Sequence, residues 1–253
     1  MEKLLQLYLI VCPLMFLAGL VDSIAGGGGL ISLPAFLLAG VPAHTALGTN
    51  NMASAMGTTV STGRFLKNGY VRWKLAAFSA VLALGGSSIG AHIALFISDA
   101  VIRHMMIVVL PVVAFYIFRN RDLGEEKQRE PLTRAQEFLV SGAAAFFVGI
   151  YAGFYGPGTG TFLILILTGA GRMQVKEASG MTKVINLSCN IAALVTFLAN
   201  GKVLYPLGLA AGLFCIAGHY IGSGMVVSGG RKVVRPVVMT VLALLFVKVV
   251  SGQ

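Results

Sequence analysis

Apolar runs long enough, or nearly long enough, to cross a hydrocarbon layer of roughly 30 Å recur along the whole chain. Residues 75–97, 101–118, 203–227 and 233–250 are the clearest. With 57% hydrophobic and 11% charged residues among 253, there is too little polar surface to dress a soluble globule of this size. The mean hydropathy is +0.85, and no soluble domain is left over once the runs are assigned. The expectation is an all-α polytopic membrane protein.

The first run, residues 4–21, is read as a spanning helix: it is long for a signal peptide, Asp22 follows it, and no small-x-small cleavage pattern precedes a soluble body. Cys12, Cys189 and Cys215 lie inside apolar segments without Cys-x-x-Cys spacing, which supports packing and neither a disulfide framework nor a thiolate metal site. A net charge of +10 raises nucleic acid as a partner, but the basic residues fall in short connections between apolar runs. That is the pattern of loops held in the cytoplasm.

Sliding the chain against itself brings two halves into register. Gly19 meets Gly149 and Gly26 meets Gly156 at an offset of 130. Ala46 then meets Ala178, Gly48 Gly180, Gly69 Gly201, Gly86 Gly218, Gly90 Gly222 and Arg103 Arg235 at an offset of 132. This is an internal duplication, and transporters are the commonest membrane class built that way. The division is a first membrane repeat over 1–118, a basic cytoplasmic linker over 119–132, and a second repeat over 133–253.

Each half holds a full helix (near 4–25 and 133–155), a glycine-rich break, a short apolar piece (30–39 and 161–169), and three more helices. Ten helical residues cover only about 15 Å, but an extended glycine stretch adds about 13 Å, so break and short piece together can just cross. If they cross, each half makes five passes and the second is inverted. The loops near 64–74, 119–137, 170–176 and 228–236 then share one side and carry 14 Lys and Arg, against 4 on the other. If the short pieces dip and return, there are eight passes and the division is 12 against 6. The positive-inside rule favours ten passes with both termini outside.

Unwound backbone at membrane depth survives only where protein buries it or water reaches it. Gly26-Gly27-Gly28-Gly29 and Gly156-Pro157-Gly158-Thr159-Gly160-Thr161 are such stretches, each leading into a short helix whose first amides lack intrahelical partners and carry the positive end of the helix dipole. In an inverted duplicate the two helix starts can face each other near the midplane, forming a site for an anion. Gly86-x-x-x-Gly90 and Gly218-x-x-x-Gly222 are read instead as close helix crossings. A nucleotide P-loop is excluded, because the second break lacks Lys before Ser or Thr and no strand precedes it.

The helices after the short pieces are unusually polar: Thr45-Ala46-Leu47-Gly48-Thr49-Asn50-Asn51 in one half, Thr182-Lys183-Val184-Ile185-Asn186 in the other, with Asn51 at the position of Lys183. A lysine inside a spanning helix should face a cavity or a partner. Three readings stand for Lys183: a fixed positive charge for an anionic substrate, an ion pair with Asp22, or a side chain snorkelling to the cytoplasmic edge. Asp22 is a proton-coupling carboxylate or that lysine's partner. His92 and His219, in apolar helices, are read as hydrogen-bonded structure. No His, Asp, Glu or Cys cluster has metal-ligand spacing, and no cofactor motif is present.

The run from Asp22 to Pro34 (Asp22-Ser23-Ile24-Ala25-Gly26-Gly27-Gly28-Gly29-Leu30-Ile31-Ser32-Leu33-Pro34), followed by Ala46-Leu47-Gly48-Thr49-Asn50 and by Gly153-Phe154-Tyr155-Gly156-Pro157-Gly158-Thr159-Gly160-Thr161-Phe162, resembles the TauE/SafE family of sulfite exporters over essentially the whole chain. Within it, the chain is similar to bacterial inner-membrane members of the YfcA type. The resemblance implies a permease for sulfite or a small organosulfonate such as sulfoacetate. It also implies Lys after the Thr-Asn pair in both halves; here the first position is Asn51, which leaves Lys183 as the single basic residue.

The expected protein is a secondary transporter working by alternating access, not an enzyme. Its expected midplane substrate site is bordered by Gly26, Gly27, Gly28, Gly29, Thr49, Asn50, Asn51, Gly156, Gly158, Thr159, Gly160, Thr161, Thr182, Lys183 and Asn186, with Asp22 as coupling group or ion-pair partner. The expected partners are the small anion and the lipid bilayer, with oligomerisation left open. The rivals are an anion channel and an intramembrane enzyme using Asp22; the latter lacks a second carboxylate or a nucleophile-base pair.

Overall fold

The computed structural model describes residues 2–102 and 132–229, with side chains from residue 6. The expected linker 119–132 lies outside these residues but for its last position, as do most of the apolar run 101–118 and all of 233–250. The chain forms α1 (Glu2–Ala25), α2 (Gly29–Leu38), α3 (Ala43–Lys67), α4 (Trp73–Phe96), α5 (Arg134–Phe154), α6 (Thr159–Gly169), α7 (Val175–Ala199) and α8 (Tyr205–Gly229). Among the described residues α1, α4, α5, α7 and α8 are long and apolar enough to cross a membrane. The protein is an all-helical, multi-pass membrane protein.

α3 has the length for a crossing but is rich in Thr, Ser, Asn and Gly. It is accommodated because its hydroxyls return to carbonyls of its own helix, Thr59 to Ala55 at 2.8 Å and Ser61 to Thr58 at 3.1 Å, and because α7 and α8 pack against it. In lipid there is no water to expel from between helices, so such hydrogen bonds and close backbone packing hold the bundle together.

Numbers rise together where α4 meets α5: Gly86 lies against Phe146 and Gly90 against Ile150, with no room for a Cβ at either glycine. α8 meets α1 in the same way, Gly218 against Phe16 and Gly222 against Leu20. Shifting one set of contacts by the sequence offsets reproduces the other. The same reciprocity relates Gly19 beside Cys215 to Gly149 beside Ala83, and Gly48 beside Lys202 to Gly180 beside Tyr70. Left-handed backbone also recurs at the offsets: Gly26 (φ +76°) with Gly156 (φ +94°), Gly40 (φ +80°) with Arg172 (φ +53°), and Gly69 (φ +73°) with Gly201 (φ +65°).

Where α3 meets α7, numbers run oppositely. Gly48 lies by Phe197, Asn190 donates to Thr58 at 3.4 Å, and Thr62 donates to the Lys183 carbonyl at 3.2 Å. These helices, which the sequence offset of 132 sets against each other, are antiparallel at the centre of the bundle. Two ends follow. At one, Arg72 before α4 pairs with Glu137 at the start of α5 (2.8 Å) and Glu177 at the start of α7 (2.5 Å). At the other, His44 pairs with Asp99, and the Leu204 amide donates to the Thr49 hydroxyl at 3.0 Å.

The first break differs from the expected extended stretch. The Gly26 amide still donates to the Asp22 carbonyl (2.8 Å), the chain turns through the left-handed Gly26, and the Leu30 amide donates back to Gly27 (3.1 Å). α2 therefore doubles back along α1: Gly28 sits beside Ala18 and Asp22, and Phe36 joins the apolar cluster of Val11 and Met15. Glycine tolerates both the extended and the turned backbone. The turn is selected by what Gly26 packs against.

Candidate functional site

Gly26 packs against Gly160. A Cβ on Gly26 would collide with the backbone of Gly160 and Thr161, and a Cβ on Gly160 would meet the Gly26 carbonyl at 2.9 Å. The two glycine breaks are thus in van der Waals contact. Thr161 fastens them: its hydroxyl donates to the Ala25 carbonyl at 2.8 Å, satisfying an acceptor left over where α1 ends.

The second break is braced from within. Its Gly156 and Gly158 are both left-handed, the Thr159 hydroxyl donates to the Gly156 carbonyl (2.6 Å), and the Tyr151 hydroxyl donates to the Pro157 carbonyl (2.7 Å). The short helices begin beside each other, each with its first amides at the positive end of the dipole. In the first break the Gly28 amide donates to the Asp22 carboxylate at 3.3 Å. Among the described residues the amides of Gly29 and Gly160 have no hydrogen-bond partner.

Beside the contact is a cavity of about 50 Å³, large enough for several waters or a small oxyanion. Asp22, Gly26, Gly28, Gly29, Asn50 and Asn51 line it from the first half. Gly156, Thr159, Gly160 and Asn186 line it from the second. Ser32 and Asn190, which sequence reasoning did not select, are on the wall as well. The Ser32 hydroxyl and the side-chain oxygens of Asn50 and Asn186 have no partner among the described residues. A half-turn of either amide presents its NH2 instead, so the wall offers donors as readily as acceptors.

The remaining selected residues stand behind the wall. Gly27 and Gly158 shape the turns, Thr49 accepts the Leu204 amide, Thr161 holds Ala25, and Thr182 is buried one position before Lys183. Lys183 is wholly buried, so it does not snorkel; its ammonium donates to the carbonyl of Asp22 and, at 3.1 Å, to the Asp22 carboxylate. Lys183 and Asp22 thus form an ion pair. The carboxylate, about a fifth exposed, is the partner that reaches the cavity.

His219 completes the cluster. Its Nε2 lies 3.6 Å from the same carboxylate oxygen, and its Nδ1 is 3.0 Å from the Ser61 hydroxyl. It is buried and on the cavity wall, whereas His92 is exposed and bonds only to the Ser88 carbonyl. A signal was available: His219 follows Gly218, and since that glycine is pressed on α1, the next side chain is turned inward toward Asp22.

Comparison with known proteins agrees with this architecture. The family model described as sulfite exporter TauE/SafE matches residues 11–249. A probable membrane transporter protein, ORF9, of Sinorhizobium sp is 31% identical over 93% of this chain and 89% of its own. One of Haemophilus influenzae is 30% identical over 94% and 92%. The probable membrane transporter protein YfcA of Escherichia coli K12 is 30% identical over 92% and 85%. No solved structure matches. The chain belongs to the TauE/SafE family and is a membrane transporter rather than an enzyme.

Proposed function

We propose that the chain is a secondary transporter of a small anion, sulfite or an organosulfonate such as sulfoacetate, and that the anion binds in the cavity where the two glycine breaks meet. The observation that carries this is the contact of Gly26 with Gly160 beside a wall on which the Ser32 hydroxyl and the side-chain oxygens of Asn50 and Asn186 have no partner among the described residues. Helix starts and free amides replace the water shell of an oxyanion, and Asp22, the carboxylate on the wall, is balanced by Lys183 behind it.

Alternating access follows from an inverted duplication, which the reciprocal contacts and the antiparallel α3 and α7 support. One half then rocks against the other about the site. Among the residues with described side chains, the end marked by Arg72 also carries Arg64, Lys67, Lys74, Arg134, Arg172 and Lys176, and the opposite end Lys202. By the positive-inside rule the first is cytoplasmic in a bacterial inner membrane, with both chain termini periplasmic. An anion exported without an accompanying cation is favoured by the inside-negative potential by about 2.3 kcal/mol per charge at 100 mV.

Purified protein in liposomes tests the reading. Saturable flux of sulfite or sulfoacetate, accelerated by anion on the opposite side, is expected; flux without saturation or exchange would mark a channel. No flux of any small sulfur oxyanion or sulfonate would overturn it.

A further inference from the structure

A carboxylate on the wall of an anion's cavity needs a reason. Asp22 bonds to the Gly28 amide and to Lys183, yet its oxygens remain open to the cavity while Lys183 is sealed. The groups facing it come from several helices: Lys183 and Cys189 from α7, His219 and Cys215 from α8, and Tyr155 from the end of α5 across the cavity. α2 contributes the Gly28 amide, and the α3 and α6 residues on the wall, Asn50, Asn51, Ser54, Thr159 and Gly160, do not titrate. Among the described residues Lys183 is therefore the permanent cation of the cluster, and Asp22 its counter-charge.

We propose that Asp22 and Lys183 couple the anion to a proton, so that protonation of Asp22 from the cavity transfers the counter-ion role for Lys183 to the transported anion. This rests on the small-anion reading above. A neutral Asp22 leaves a buried ammonium without compensation, a strongly unfavourable state unless another negative charge enters. An anion in the cavity supplies it. Conversely, an ionised Asp22 already satisfies Lys183 and repels the anion from the same wall. The proton passes from cavity water to a carboxylate oxygen of Asp22, and it returns to water when the anion leaves and the ion pair closes again. His219, held through Ser61 with Nε2 toward that oxygen, is a positioning residue that orients the carboxyl group.

Proton and anion each raise the affinity for the other by the same factor, and a monovalent anion moves with its proton without net charge. The pair thus sets the substrate class: anions accepted one charge at a time, with binding strengthened by acid.

Isothermal titration calorimetry of the full chain with methanesulfonate tests this, because the sulfonate stays ionised across the working pH range. Repeating the titration in buffers of different ionisation heat counts protons. Uptake of about one proton per anion is expected, with affinity rising up to about tenfold for each unit fall in pH. Asp22→Asn should abolish the uptake and hold the affinity at its acid value at every pH. His219→Gln should move the pH midpoint and leave the proton count unchanged. Binding without proton uptake in the wild-type protein overturns the proposal even if no variant folds, and uptake that persists in folded Asp22→Asn overturns the assignment to that residue. If methanesulfonate, sulfite and sulfoacetate all fail to bind at any pH, the small-anion reading itself falls, and the coupling with it.

Discussion

Lys183 on α7 donates to the carboxylate of Asp22 on α1 across 3.1 Å, and only the aspartate reaches the cavity. The pair ties the two halves together next to the point where their glycine breaks touch. Its lysine is out of reach of both water and lipid headgroups, so the cost of carrying the charge is offset by Asp22 alone.

Lys183→Gln should therefore destabilise the protein by about 3 kcal/mol, at the lower end for a buried pair because Asp22 keeps its cavity contact. Adding Asp22→Asn should recover part of the loss. Equilibrium unfolding of the two single variants and the double variant in detergent measures the coupling; strictly additive losses would show that the pair contributes nothing.

Gly26→Ala combines a left-handed backbone with a collision against Gly160, and should cost at least about 2 kcal/mol and abolish anion flux. Gly85→Ala is the control: nothing lies within 4 Å of its Cβ position, and helix propensity favours the change by up to about 1 kcal/mol. Thermal stability of the two should move in opposite directions.

Thr161→Val keeps the shape of the side chain but removes the donor to the Ala25 carbonyl, with an expected loss of about 1 kcal/mol. Thr161→Ser should restore it. Equal stability of the Val and Ser variants would mean that the clamp between the breaks is unimportant.

Arg72→Gln unties the starts of α4, α5 and α7, but the arginine is partly exposed. The expected loss is no more than about 1 kcal/mol, shrinking as salt is added. A large effect that salt does not reduce would indicate a structural role beyond the ion pairs.

Much of the fold was legible because its determinants are local. Helix α2 begins one residue before its expected start, and the offsets of 130 and 132 reappear as paired left-handed positions from Gly26 with Gly156 to Gly69 with Gly201. The breaks could be placed but not shaped, since glycine permits both an extended chain and a turn, and only the neighbour, Gly160, decides. The same limit applies to Lys183: its position on α7 is readable, but whether it faces the cavity or a partner depends on a few tens of degrees of helix rotation set by tertiary packing. His219 is hydrogen-bonded to Ser61 as the sequence suggests, but its approach to Asp22, nearly two hundred residues away in the chain, is set by tertiary packing alone.

The most direct measurement is an experimental density map of the protein with selenite bound, located by its anomalous signal. The account predicts a peak in the cavity within hydrogen-bond reach, about 2.7–3.2 Å, of the Gly29 and Gly160 amides. A peak elsewhere, or an anion bound in a state where Gly26 and Gly160 have separated and their amides point away from it, would contradict the account.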